Sequence, residues 1–127
     1  VVTRAETLVR RAQLRTRARA GDARAALSLA RSLERDPPRD HATARRLYEL
    51  AADAGQVEAM NALGERLRDG VGGRRDARAA AGWFERAAKR GHASAALSLG
   101  HAQFHGEGVA RDRAAAVRLY RRAATGG

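Results

Sequence analysis

The sequence predicts an all-α chain of stacked helix hairpins, about seven helices in one continuous repeat domain. Three observations predict it. The strong helix formers Ala, Leu and Arg dominate the 127 residues, while β-branched residues are scarce. Only five residues are aromatic (Tyr48, Trp83, Phe84, Phe104 and Tyr120), so any core is thin and built from small side chains that let backbones approach closely. Above all, the chain repeats itself. A shift of 36 residues superposes Gly55 on Gly91, Leu63-Gly64 on Leu99-Gly100, Gly70 on Gly106, Asp76 on Asp112, Phe84 on Tyr120 and Ala87-Ala88 on Ala123-Ala124.

The elements follow in order. Thr3 and Glu6 stand at capping-box spacing, and an Ala/Leu/Val-rich helix runs from there to Ala20. Residues 1–20 thus read as an incoming helix, the second half of a preceding repeat, with Leu14 in the register of Tyr48 and Phe84. Residues 21–54 are the first repeat. Its loop, Asp36-Pro37-Pro38-Arg39, is two residues shorter than the next, so the offset there is 34.

In the second repeat, residues 55–90, Ala59, Leu63 and Leu67 form one apolar stripe on a helix from about Gln56 to Asp69. Gly64 lies on that stripe, where a missing side chain admits another helix at a cost of roughly 1 kcal/mol against Ala. Gly70 and Gly72-Gly73 then supply left-handed conformations that end the helix. Asp76 caps a second helix that runs to about Arg90, with Ala80, Phe84, Ala87 and Ala88 turned inward. Gly91 stops it and opens the third repeat, residues 91–127. The last hairpin has no polar closing helix. Its Leu119/Ala123 side is therefore expected to be exposed unless more repeats follow or chains self-associate through uncapped ends.

The pattern Leu63-Gly64, a Gly-x-Gly loop, Asp76, Trp83-Phe84, Ala87-Ala88 and Gly91 resembles the Sel1-like repeat, a relative of the tetratricopeptide repeat. The third unit carries it most fully, with Ala95, Leu99-Gly100, Phe104, Gly106-Glu107-Gly108-Val109, Asp112, Leu119-Tyr120 and Ala123-Ala124. The first unit departs from it, with Ala30 in place of glycine and a Pro-Pro loop. The resemblance implies a right-handed α/α superhelix, a solenoid, with a protein-binding role. It brings no catalytic residues.

Hairpin physics leads to a similar surface. A single hairpin cannot cover its apolar stripe, so neighbours stack, and a constant rotation between them curves the array. First helices then line a concave groove. Expected there are Arg24, Leu27, Arg31 and Arg35 from the first unit, Glu58, Asn61, Glu65 and Arg68 from the second, and Ser94, Leu97, His101, Phe104 and His105 from the third. Charge, amide and apolar groups mixed in this way suit a protein or peptide partner.

Other chemistries find less support. With no Cys there is no disulfide framework, thiolate nucleophile or Cys-ligated zinc. His101 and His105 stand at i, i+4, but a third ligand is missing, so they read as a groove residue and a helix-end cation, and no metal or cofactor is expected. The Gly70–Arg75 and Gly106–Gly108 loops lack the preceding strand and Lys-Ser/Thr pair of a phosphate-binding loop. No Ser/His/Asp set or carboxylate pair stands out, so no catalytic residue is assigned. The longest uncharged stretch, Gly91 to Gly106, is too short and polar for a bilayer span. The start, Val1-Val2-Thr3-Arg4, lacks the apolar run of a signal peptide, and a chain beginning without Met and ending in Gly126-Gly127 reads as a candidate fragment. Bacterial cytoplasm and periplasm both remain open.

The basic excess is the competing signal. Net charge is +11, of which residues 1–20 carry +5 through six arginines and one glutamate. Arg4, Arg11 and Arg15 share one face of the first helix, as do Arg10 and Arg17, a surface able to neutralise phosphates or anionic lipid. Against this, 24 of the 25 cations are arginine, which fits a GC-rich bacterial genome as well as a ligand. Four of the five aromatics also fall at core positions of second helices, where no base could stack. The expected function is a non-enzymatic scaffold for a protein or peptide partner, with acidic partners favoured by the charge. The alternative is an arginine-rich nucleic-acid or anionic-surface binder using the first helix.

Overall fold

The computed structural model describes residues 2–126; Val1 and Gly127, the outermost residues of the expected first and last segments, lie outside them. Seven helices follow in chain order: α1 (Arg4–Arg19), α2 (Ala23–Arg35), α3 (His41–Asp53), α4 (Val57–Asp69), α5 (Ala77–Lys89), α6 (Ala93–His105) and α7 (Arg113–Ala124). Each packs on its chain neighbours, giving a right-handed solenoid of hairpins α2–α3, α4–α5 and α6–α7 preceded by α1.

Local chemistry sets the helix ends. The second helix of every hairpin begins at an aspartate, Asp40, Asp76 or Asp112, whose carboxylate accepts from the N–H three residues on, at 3.0 Å in all three. The backbone N–H of the same aspartates donates back to Leu33, Leu67 and Gln103, which closes the hairpin. First helices are capped less uniformly. Asp22 accepts from Ala25 N–H, His92 Nδ1 accepts from Ala95 N–H, and Gln56 makes no side-chain cap. At the start of α1, Thr3 Oγ1 accepts from Glu6 N–H at 3.1 Å, as the sequence spacing predicts. Gly70 adopts the left-handed conformation, and so does Gly72, but Gly73 does not.

Within a hairpin the second helix lays an aromatic ring on the backbone of the first. A Cβ added to Gly64 would sit 2.5 Å from Phe84 Cε1, and one added to Gly100 would sit 2.8 Å from Tyr120 Cε1. That is the close approach the stripe position of Gly64 implied. Tyr48, Phe84, Leu29 and Leu63 are the largest fully buried side chains, set among Ala25, Ala26, Ala30, Ala44, Ala51, Ala59 and Ala87.

Between hairpins the loops supply the joint. Gly72, at φ 76°, lies so close to the His41 carbonyl that no Cβ fits, and Gly108, at φ 74°, meets the Ala77 carbonyl in the same way 36 residues on. The shorter first loop has no glycine for this contact. Instead Arg11 of α1, only 3% exposed, reaches into it. Its guanidinium donates to Ser32 Oγ (2.9 Å), to the carbonyls of Ser32 and Pro38 (2.7 Å each) and to that of Asp36. Two of these carbonyls belong to the C-terminal end of α2, where a cation is also favoured by the helix dipole.

The ends differ from expectation in detail. Leu119 is half-buried and packs against the core, and Ala123 is half-buried too, because α6 still covers one side of α7. The apolar side chains left open on this hairpin are Leu97 and Val117. Tyr120 is nevertheless less covered than Phe84 at the same register, since among the described residues only α6 packs closely on α7.

Two sets of substitutions test these contacts. Gly64→Ala is expected to destabilise the chain by about 1–3 kcal/mol through the clash with Phe84. Gly82→Ala, on the open side of α5 with nothing near its would-be Cβ, should stabilise by about 0.5–1 kcal/mol. Arg11→Gln should cost about 2–4 kcal/mol because buried carbonyls lose their donor. The exposed neighbours Arg10→Gln and Arg15→Gln should stay within about 0.5 kcal/mol of the parent. Urea unfolding of the parent and the five variants gives all five differences, and equal midpoints for Gly64→Ala and Gly82→Ala would refute the packing account.

Candidate functional site

An open cleft of about 450 Å³ lies between α2 and α4, lined by Arg31, Glu34, Arg35, Tyr48, Glu58, Asn61, Ala62, Glu65 and Arg66. A second cleft of about 360 Å³ adjoins it, sharing Glu34, Glu65 and Arg66 and adding His41, Asp69 and Val71. First helices supply almost all of this surface, because their outward residues fall between two neighbouring units.

Five of the residues expected in the groove line the main cleft together: Arg31, Arg35, Glu58, Asn61 and Glu65. Arg24 is exposed on α2 but does not line it. Arg68 and His101 meet elsewhere, beside Phe84 and Glu107 in a crevice of only about 10 Å³. Ser94 and Leu97 are exposed on α6. The His101 and His105 rings lie 4.5 Å apart, and Phe104 is half-buried beneath the Arg113 guanidinium, 4.7 Å from its ring centre. Leu27 is a correction. It is 4% exposed and belongs to the core cluster, while its register mate Leu97 on the final first helix is 48% exposed.

Arg11 is a second correction. Set by helical spacing on an anion-binding face with Arg4 and Arg15, it is committed to the α2–α3 loop and offers nothing to a phosphate. Arg4, Arg10, Arg15, Arg17 and Arg19 remain exposed, with Arg17 paired to Asp22 at 3.2 Å.

The floor of the cleft holds a linked trio that the sequence reading missed. Glu34 accepts from the Tyr48 hydroxyl at 2.7 Å, and from Arg66 through Nη2 (2.7 Å) and Nε (2.9 Å). The Arg66 guanidinium also lies 4.9 Å from the centre of the Tyr48 ring. Burial pushes the Glu34 carboxyl upward, but the hydrogen bonds from Arg66 and Tyr48 outweigh it and hold the group below its ordinary value of 4.5. Burial, then the bond to Glu34, raises the Tyr48 phenol. Desolvation works against the Arg66 charge, yet Glu34 keeps it well protonated.

A signal for this trio was present in the repeat. Arg68 was expected in the groove, and the 34-residue offset carries Arg68 onto Glu34, whereas Arg35 corresponds to Asp69. At the next junction the trio becomes Arg68, Phe84 and Ala102, with the Arg68 guanidinium 5.8 Å from the Phe84 ring centre. No ionic floor forms there, and only the narrow crevice remains.

The cleft is electrically mixed. Arg31, Arg35 and Arg66 are balanced by Glu34, Glu58 and Glu65, so the basic excess of the chain is not concentrated here. Glu65 pairs with Arg66 at 3.2 Å, and Glu58 contacts His92 Nε2 at 3.3 Å. Asn61 Oδ1 is buried with no hydrogen-bond partner. No helix is long and apolar enough to cross a membrane among the described residues.

Three consecutive stretches, residues 22–56, 57–92 and 93–127, match the family described as Sel1 repeat. No curated protein matches. Among solved structures, a Sel1 repeat protein from Oxalobacter formigenes superposes with a TM-score of 0.78 at 26% identity, covering 84% of this chain and 44% of that one. The protein c5321, a protective antigen of uropathogenic Escherichia coli displaying an SLR fold, gives 0.69 at 27% identity, covering 92% of this chain and 33% of that one. The chain therefore spans less than half the length of either. Cysteine rich protein B of Helicobacter pylori shares the fold, with a TM-score of 0.72 at 21% identity and coverage of 92% and 90%. This chain has no Cys, so no disulfide contributes to its fold.

The trio makes a pH prediction. Because the native carboxyl lies lower than the unfolded one, the stabilisation from Glu34 is complete above 4.5 and is lost as pH falls past that value and through the lower native one. Glu34→Gln should lose roughly 1–3 kcal/mol at neutral pH. It should also show a flatter stability profile between neutrality and the acid range, measured by urea unfolding at a series of pH values.

Proposed function

Because the chain belongs to the Sel1 repeat family, we propose that it is a non-enzymatic scaffold holding a partner protein or peptide in the cleft between α2 and α4. The supporting observation is the cleft itself. It is preformed, open, walled by charged side chains on two helices, and floored by an ion pair already matched within the protein. A volume of about 450 Å³ lies within the range of ligand sites, roughly 300–1,000 Å³.

Asn61 adds a second support. A buried amide oxygen without a partner costs about 1–3 kcal/mol. Rotation of the amide toward the cleft it lines would let that oxygen accept a peptide N–H and remove the penalty. The register mate Leu27 shows the apolar alternative that this position accommodates in the first unit.

Selection of random displayed peptides on the intact chain tests the reading. Bound peptides should lose about tenfold or more in affinity with Ala62→Trp, which fills the cleft, and little with Glu49→Trp on the exposed side of α3. Asn61→Leu should raise unfolding stability by about 1 kcal/mol while weakening the same peptides. Binding indifferent to Ala62→Trp would place the contact elsewhere and overturn the proposal.

A further inference from the structure

The cleft has two walls of opposite sign, and of their four charges only Glu65 pairs with the floor, through Arg66 at 3.2 Å. On α2, Arg31 and Arg35 stand at i, i+4 on one exposed face. On α4, Glu58 and Glu65 stand at i, i+7, with side chains 57% and 41% exposed. Between them Glu34 and Arg66 neutralise each other at 2.7 Å. Among the described residues neither Arg31 nor Arg35 pairs with Glu58 or Glu65, and Arg31 has no acidic partner at all. Repeat register sharpens the opposition, since Arg31 is the counterpart of Glu65 and Arg24 of Glu58.

Resting on the peptide-binding reading above, we infer that this cleft selects an extended peptide of alternating acidic and basic residues, acids turned to α2 and bases to α4. An extended strand sends successive side chains to opposite sides at about 3.3 Å per residue, so residues two apart lie about 6.6 Å from one another on the same side. That matches the ~6 Å rise separating Arg31 from Arg35 along α2. Glu58 and Glu65 are ~10.5 Å apart along α4, within reach of basic residues two to four apart. A purely acidic strand meets the glutamate wall and a purely basic strand meets the arginine wall, so like-charge contact rejects both.

Fluorescence anisotropy with labelled octapeptides tests this on the unmodified chain. Alternating Asp-Lys should bind about tenfold tighter than the isomer with four Asp followed by four Lys, and the gap should shrink with added salt. Reversing one wall converts the preference. Arg31→Glu with Arg35→Glu should favour oligolysine, and Glu58→Arg with Glu65→Arg should favour oligoaspartate. All four changes together should restore the alternating peptide, because a one-residue shift presents it in the opposite sense. Equal affinity for the two isomers on the parent chain, or no binding of either, overturns the inference. If isomers bind equally yet Ala62→Trp still abolishes selected peptides, the scaffold reading stands and only the charge rule falls.

Discussion

Each hairpin closes on an aromatic ring from its second helix pressed against the backbone of its first, Phe84 at Gly64 and Tyr120 at Gly100. The contact demands a residue without bulk on one side and a flat apolar surface on the other. In the first unit Ala30 and Tyr48 occupy the same register, both buried. Once the ring is seated, the alanines around it can meet across a narrow gap, which is how a chain with so few large side chains fills a core at all. Close packing gives such a core its dispersion energy, and a misplaced methyl is felt at once.

Stacking of hairpins depends on a different and more variable joint. Where the loop has a glycine at the critical position, its backbone docks on a carbonyl at the start of the preceding second helix, Gly72 on His41 and Gly108 on Ala77. Where the loop is shortened and carries Pro37-Pro38, a buried arginine takes over and ties loop and helix end together through its hydrogen bonds. The first joint along the chain works by side-chain reach, while the second combines backbone proximity with a longer bond from Arg45, the register mate of Arg11, to the Val71 carbonyl at 3.5 Å. Arg11 thereby leaves the set of surface cations that the charge of α1 suggested.

The open surface of this array follows from departures from the repeat more than from the repeat itself. At the first junction Glu34, Tyr48 and Arg66 make an ionic floor with open charged walls on either side. At the second, Arg68, Phe84 and Ala102 hold the equivalent places, and the surface narrows to a crevice. Each buried carboxylate or guanidinium would be costly alone, and together they satisfy one another. The cleft is thus a property of one pair of neighbours, not a feature repeated along the chain.

The sequence by itself determined the helices, their caps and their order. Asp40, Asp76 and Asp112, the Leu-Gly pairs and the loop glycines act on atoms a few residues away or on a partner fixed by the repeat, so spacing alone exposes them. It also brought Arg31, Arg35, Glu58, Asn61 and Glu65 to one surface, since helical period and repeat offset together define a face. Only the tertiary structure decided which of those faces stay open. Leu27 is covered and Leu97 is not, Arg11 turns inward while Arg10 and Arg15 remain in solvent, and Glu34 pairs with Arg66, 32 residues on. Those outcomes depend on how near two units come and on what each side chain meets there, a distance that no pattern along a single chain encodes.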